Sequence, residues 1–325
     1  AVHRLFPGEQ VTLVTASSDF KRLVARTEGP MDSGTYFLVD MTTKKVEAIA
    51  WDYPTILQAD VAVSKIVAYK AADGLEMQGV LTLPPGREPK NLPLVVMPHG
   101  GPEARDYLGF DFWAQAFASR GYAVFQPNFR GSNGFGKAFR DAGFGQWGRK
   151  MQTDISDGVA ELARQGLVDP KRACIVGASY GGYAALAGVT VQQGLYRCAV
   201  SLGGVTDPAA RLSADEERHG ERSAWVRYER LFLGANSSSD STLRAISPVK
   251  LADKADAPIL IAYGKDDTVV DIAQSRAMVL ALKGASKPVE VLEIPNEDHW
   301  LSRQAGRSQL VSASVAFVER HNPAN

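Results

Sequence analysis

Ser179 lies in the run Gly177-Ala178-Ser179-Tyr180-Gly181, between the apolar stretch Ala173–Val176 and a helix-forming stretch that starts near Gly182. A serine flanked by small residues at a strand-to-helix turn is well placed to be a nucleophile. The turn is too sharp for bulky neighbours, and it leaves the hydroxyl exposed at its tip. The helix N-terminus that follows favours negative charge nearby. The chemistry implied is acyl transfer. It also requires a base for the hydroxyl proton, an acid that orients the base, and hydrogen-bond donors for the developing oxyanion.

The chain has five histidines: His3, His99, His219, His299 and His321. In α/β-hydrolases the acid and then the histidine follow the serine, so His3 and His99 come too early. His321 is near the C-terminus, where chains fray. His219 sits in the charged stretch Asp215–Arg222 and leaves little chain in which to place the acid. His299 follows the apolar run Val289–Ile294, in the loop Pro295-Asn296-Glu297-Asp298-His299, and is the candidate base. The acid should end a strand between Ser179 and His299. The run Pro258–Tyr263 ends in Gly264-Lys265-Asp266-Asp267-Thr268-Val269-Val270, where Asp266 and Asp267 compete. One oxyanion donor would be the Tyr180 N–H. The other would be the Gly101 N–H, in Pro98-His99-Gly100-Gly101-Pro102 after the apolar run Leu94–Met97.

The elements that must position these residues alternate. From about Val61 onward, strands at Ile66–Ala71 and Met77–Leu83 precede Leu94–Met97. A helix at Phe112–Arg120, a strand at Tyr122–Gln126, a helix at Ile155–Arg164, the strand Ala173–Val176 and a helix at Gly182–Val189 then follow. Strands at Cys198–Leu202, Ile259–Tyr263 and Val289–Ile294 alternate with helices at Ala273–Leu282 and Ser308–Glu319. This pattern predicts an α/β protein of the α/β-hydrolase type, with a mostly parallel sheet covered by helices on both faces and a ligand site at the carboxyl ends of the strands. The first part reads differently. Val11–Thr15, Arg22–Ala25, Tyr36–Asp40 and Val46–Ala50 are short β runs separated by turn residues, which predicts a small antiparallel sheet. The expected division is a β-rich segment over 1–60 and a catalytic domain over 61–325.

Composition narrows the partners. Lys+Arg and Asp+Glu are equal at 36 each, which gives no reason to expect nucleic acid and no basic face for a membrane. No apolar run approaches the roughly 18 residues of a transmembrane helix, and Ala1–Gln10 lacks the charge-then-apolar pattern of a signal peptide. Cys174 and Cys198, in apolar runs, read as buried free thiols, which leans toward a reducing, cytoplasmic setting. No metal-ligand spacing, phosphate loop or dinucleotide motif appears, so no metal or cofactor is expected. Asp215-Glu216-Glu217 reads as a solvated helix face. The oligomeric state is open, homo-oligomers included.

Further motifs carry a family resemblance. Asn128-Phe129-Arg130-Gly131-Ser132-Asn133-Gly134-Phe135-Gly136, then Phe139 and Trp147-Gly148, follow one strand. Val168-Asp169-Pro170-Lys171-Arg172 leads into Gly177–Gly182, and Leu233-Gly234 and Ser247-Pro248 come later. With the His99–Pro102 loop and Glu297-Asp298-His299, these resemble the prolyl oligopeptidase family of serine peptidases, in particular its acylaminoacyl-peptidase and dipeptidyl-peptidase-like branches. The resemblance runs from about Gly74 to Arg320. The family's spacing from Gly264 through Val270 to Gln274 implies that the acid is Asp267. Tyr263, Asp271 and Trp300 depart from its usual residues. The family also implies a β-propeller that caps the site. Here Gln10–Ala50 resembles only its last blade, so the chain is either a fragment or lacks the cap, and substrate gating does not carry over.

The implied reaction is hydrolysis of peptide bonds in short peptides through an acyl-enzyme on Ser179, with His299 as base and Asp267 as orienting acid. The alternative is a carboxylesterase acting on small esters with the same machinery. Phe129, Phe135, Tyr183 and Trp225, with Tyr180, are the aromatic candidates for a substrate pocket.

Overall fold

The computed structural model describes residues 2–29 and 32–325. Its larger sheet has eight strands: β5 (Ser64–Lys70), β6 (Glu76–Thr82), β7 (Leu92–Val96), β8 (Ala123–Asn128), β9 (Val168–Ala178), β10 (Cys198–Leu202), β11 (Ile259–Gly264) and β12 (Val289–Ile294). They lie in the order β12-β11-β10-β9-β7-β8-β6-β5. The antiparallel pairs are β5–β6 and β6–β8, and every other pair is parallel. Every residue of β7, β8, β10 and β11 is buried. That is why these strands read as continuous apolar runs and not as alternating ones.

Alternate residues of these strands and of β9 serve two cores. Leu94, Val96, Phe125, Ile175 and Ile261 pack with helices α3 (Lys150–Arg164), α4 (Tyr180–Thr190) and α7 (Ile272–Gly284) on one face. Val95, Val124, Val176, Val200 and Leu260 pack with α1 (Phe112–Ser119) and α8 (Gln304–His321) on the other. Asp111 caps α1, its carboxylate accepting from the Trp113 and Ala114 N–H groups.

Three helices lie outside the expected alternation: α2 (Lys137–Asp141), α5 (Pro208–His219) and α6 (Ala224–Leu233). The last two occupy the charged stretch between β10 and β11 and bury Leu212, Val226, Phe232 and Leu233 against the first core.

The expectation of free thiols is corrected. Cys174 and Cys198 are opposite each other on neighbouring strands β9 and β10 and form a disulfide. Single-strand patterns do not reveal such adjacency, since parallel neighbours are joined through a distant crossover. A disulfide gives no support to a reducing compartment.

The N-terminal strands β1 (Gln10–Ala16), β2 (Arg22–Gly29), β3 (Asp32–Asp40) and β4 (Lys45–Trp51) form a separate antiparallel sheet in sequence order. Its buried cluster is Leu23, Ala25 and Val39. It meets the rest of the chain at Gln10 Nε2, which donates to Leu108 O at 3.0 Å, and where Tyr53 packs on Phe110 with ring centroids 4.9 Å apart.

Candidate active site

Ser179 stands between the end of β9 and the first turn of α4 with φ 58° and ψ −120°. A residue with a Cβ in the left-handed region is strained by the order of 1–3 kcal/mol. The strain is held by backbone bonds on both sides. Ser179 N–H donates to Leu202 O at 2.9 Å, and Tyr183 N–H donates to Ser179 O at 3.0 Å. The flanking glycines are required by close approach. A Cβ on Gly177 would stand 2.4 Å from the Gly181 backbone, and one on Gly181 would stand 2.0 Å from Pro98 O. The second approach seats the Pro98–Pro102 loop on the serine turn.

His99 fixes that loop. Its Nδ1 lies 2.8 Å from Gly100 O and its Nε2 2.8 Å from Ser132 Oγ, while its ring stacks on Phe129 with centroids 4.4 Å apart. Burial lowers its pKa to about 4, with the Gly100 carbonyl opposing, so the ring is neutral near pH 7. A neutral ring that donates from Nδ1 clamps the Gly100 carbonyl. The Gly100 carbonyl and the Gly101 N–H belong to one planar peptide unit. Fixing the carbonyl therefore sets the direction of the candidate oxyanion donor.

The other half of the site comes from the next strand ends. His299 Nδ1 lies 2.7 Å from Asp267 Oδ2, with both side chains almost fully buried. Asp267 Oδ1 accepts from the N–H groups of Val269 and Val270, each at 2.9 Å. The carboxylate is thus held at both oxygens. Gly203, at the end of β10, makes room for the pair: a Cβ there would stand 3.0 Å from Asp267 Oδ2. Asp266, the competing acid, is exposed, and its backbone N–H donates to Glu297 O at 2.9 Å. Ser179, His299, Gly100 and Gly101 line one cleft of about 660 Å³.

The aromatic candidates separate. Trp225 lines this cleft and is half exposed, and Trp300 also lines it. Phe129 and Tyr183 do not: both are fully buried, Phe129 beneath His99 and Tyr183 with its hydroxyl donating to Ile246 O at 2.9 Å. Phe135 packs on Phe139 and lines a different cavity. The Tyr180 ring is also core, leaving its backbone N–H as the group at the turn.

The cleft also holds residues that the motif reading passed over: Arg211 and Asp215 from α5 and Glu229 from α6. A signal for Asp215 was present. The buried residues of α5 are Pro208, Leu212 and Asp215, a helical stripe that ends on a carboxylate.

This fold, with its serine on a strained strand-to-helix turn, defines the class: a serine hydrolase of the α/β-hydrolase fold. The family model described as "Prolyl oligopeptidase family" matches residues 108–323, more than half of the chain, and the chain belongs to that family. It is 33% identical over 264 residues to dipeptidyl aminopeptidase BIII of Pseudoxanthomonas mexicana, covering 78% of this chain and 37% of that protein. It is 30% identical over 324 residues to dipeptidyl peptidase family member 6 of Caenorhabditis elegans, covering 91% of this chain and 43% of that protein. Among solved structures it is similar to a puromycin-hydrolyzing peptidase of Mycobacterium tuberculosis, with TM-score 0.81 and 26% identity, covering 94% of this chain and 46% of that one. The chain thus spans less than half the length of these relatives.

Proposed function

We propose that the chain carries the catalytic centre of a peptidase that cleaves short peptides, of the dipeptidyl- or acylaminoacyl-releasing kind, through an acyl-enzyme on Ser179. The observation that carries this reading is the His299–Asp267 pair at 2.7 Å, whose histidine lines the same cleft as a serine held in a left-handed turn. In the proposed sequence, His299 Nε2 takes the Ser179 hydroxyl proton as Oγ attacks the peptide carbonyl. Asp267 holds the ring by its Nδ1–H and stabilises the imidazolium. The Tyr180 and Gly101 N–H groups stabilise the tetrahedral oxyanion. When the intermediate collapses, the C–N bond breaks and the imidazolium gives its proton to the leaving amine. Water, deprotonated by the same ring, then releases the acyl group and restores the hydroxyl.

Names of relatives favour amide substrates. The same machinery would also cleave esters, so the test pairs both. Steady-state rates on dipeptidyl and acyl-aminoacyl anilides would be compared with those on a p-nitrophenyl acyl ester, alongside fluorophosphonate labelling. Anilide turnover together with labelling that Ser179→Ala removes is the expected result. Ester turnover with no anilide turnover would make the enzyme a carboxylesterase. The absence of labelling would overturn the assignment of Ser179.

A further inference from the structure

Helices α5 and α6 bring an unusual set of charges to the wall of the Ser179 cleft. Asp215 is only 8% exposed, and its Oδ2 has no hydrogen-bond partner among the described residues. Arg211 Nε, 3.9 Å from that oxygen, is likewise without a partner. Arg211 Nη2 lies 3.6 Å from Glu229 Oε1. Both distances exceed those of a good hydrogen bond. One guanidinium is therefore shared between two carboxylates and fully satisfies neither. Burial pushes the Glu229 carboxyl up, with Arg211 opposing and Asp215 and Glu103 adding to the rise, and this wall sets two carboxyl groups against one guanidinium. Buried carboxylates without full hydrogen bonding are costly. All three side chains line the cleft that holds Ser179 and His299, so the partner they lack can arrive from the cleft.

We propose that Asp215 and Glu229 form a subsite for a cationic nitrogen of the substrate, an ammonium or guanidinium, bound beside Ser179. Such a group would give Asp215 Oδ2 the charge-assisted hydrogen bond that Arg211 does not make. It would also give the wall one cation for each carboxyl group. The proposal rests on the reading of Ser179 as the nucleophile. Arg218 and His219 line the same cleft, but both are exposed to solvent, where the Arg218 charge is screened. The cation could be the free amino terminus of the peptide or a basic side chain next to the scissile bond.

Two matched substrate pairs separate these sources. Alanyl-alanyl p-nitroanilide against its N-acetyl form tests the amino terminus. N-acetyl-alanyl-arginyl p-nitroanilide against its citrulline analogue tests the side chain. The cationic member of one pair should be preferred in kcat/KM by at least about tenfold, the worth of one charge-assisted hydrogen bond. Asp215→Asn and Asp215→Asn/Glu229→Gln should remove that preference and leave the neutral member within about twofold. The pair that responds names the source. Equal loss on both members would assign these residues a structural role and overturn the proposal. So would a wild-type enzyme with no cationic preference in either pair. Fluorophosphonate labelling of Ser179 in each variant, with its thermal midpoint, separates the failures. Labelled enzyme without cationic preference sinks the subsite alone. Unlabelled wild-type enzyme without turnover sinks the nucleophile assignment and the subsite together.

Discussion

The two sheets of this chain draw on similar strand residues and end in different surroundings. In the eight-stranded sheet, β7, β8, β10 and β11 are buried at every position, because helices cover both faces. In the four-stranded sheet, β4 has no buried residue, and Val46, Ile49 and Trp51 are exposed. Val, Ile and aromatic side chains suffice to make a strand, but burying it takes a second layer. The candidate site follows the same division. The strand-end loops after β7, β9, β11 and β12 carry Gly101, Ser179, Asp267 and His299. Only a covered sheet offers strand ends whose loops are fixed closely enough to hold a 2.7 Å His–Asp contact.

The largest effect expected from this contrast is kinetic. Asp267→Asn should lower kcat by the order of 10³–10⁴-fold, because the amide favours the wrong ring tautomer, while the thermal midpoint stays close to that of the parent. Asp266→Asn, one residue away and exposed, should stay within about twofold. Stopped assays on the anilide found to be turned over would read both. A large loss at Asp266 would break the assignment of the acid and, with it, the claim that strand-end geometry places the chemistry.

Next is the core of the large sheet. Phe125 is fully buried against Tyr69, with ring centroids 5.7 Å apart. Phe125→Ala should cost about 3–5 kcal/mol in urea unfolding. A cost below about 1 kcal/mol would mean that the covered sheet tolerates cavities as the open one should, and the contrast would fail.

How far the sequence announced this division depends on what each signal measures. The β/α alternation was legible because buried parallel strands are short apolar runs separated by helical periods. The observed bounds of β10 and β12 coincide with the runs Cys198–Leu202 and Val289–Ile294. The order of serine, acid and base pointed to His299. Choosing Asp267 over Asp266 needed the family's spacing, since two adjacent aspartates at a strand end look alike until one of them turns inward. Helices α5 and α6 were not legible, because charged residues interrupt the apolar pattern of both and one of those charges, Asp215, is buried. β9 begins at Val168 and runs through Pro170 to Ala178, where the apolar run alone marks Ala173–Val176. Phe129, Phe135 and Tyr183 lie away from the cleft, unlike Trp225, for a general reason: a ring next to a catalytic motif in sequence is more often packed beneath the site than lining it. Phe129 and Tyr183 are such rings.

A smaller effect should appear in acid. His99 is held neutral, with its pKa lowered to about 4, whereas an unfolded histidine titrates near 6.5. Between those values the unfolded chain binds more protons, so stability falls as pH drops from about 6.5 toward 4. His99→Gln should lack this component. The wild-type-minus-variant stability difference should be flat above about pH 6.5 and decline below it, by at most about 3 kcal/mol and by less because the ring is only partly buried. A difference curve flat throughout would show that the ring is not held neutral, and that the loop carrying Gly101 is fixed by something else.

The smallest effect tests the open sheet itself. Ile49 is 47% exposed on β4, which forms one edge of the four-stranded sheet. An apolar side chain that gains little from burial loses little on replacement, and a charge at an exposed edge also opposes strand-to-strand association. Ile49→Lys should therefore shift stability by no more than about 0.5 kcal/mol and leave kcat/KM on a small anilide within about twofold. Urea titration and the anilide assay, run on the same preparation, read both. A loss above about 1 kcal/mol, well beyond the range of ordinary surface substitutions, would mean that β4 is covered in solution. The contrast between a closed and an open sheet would then describe this chain alone and not the assembly in which it works.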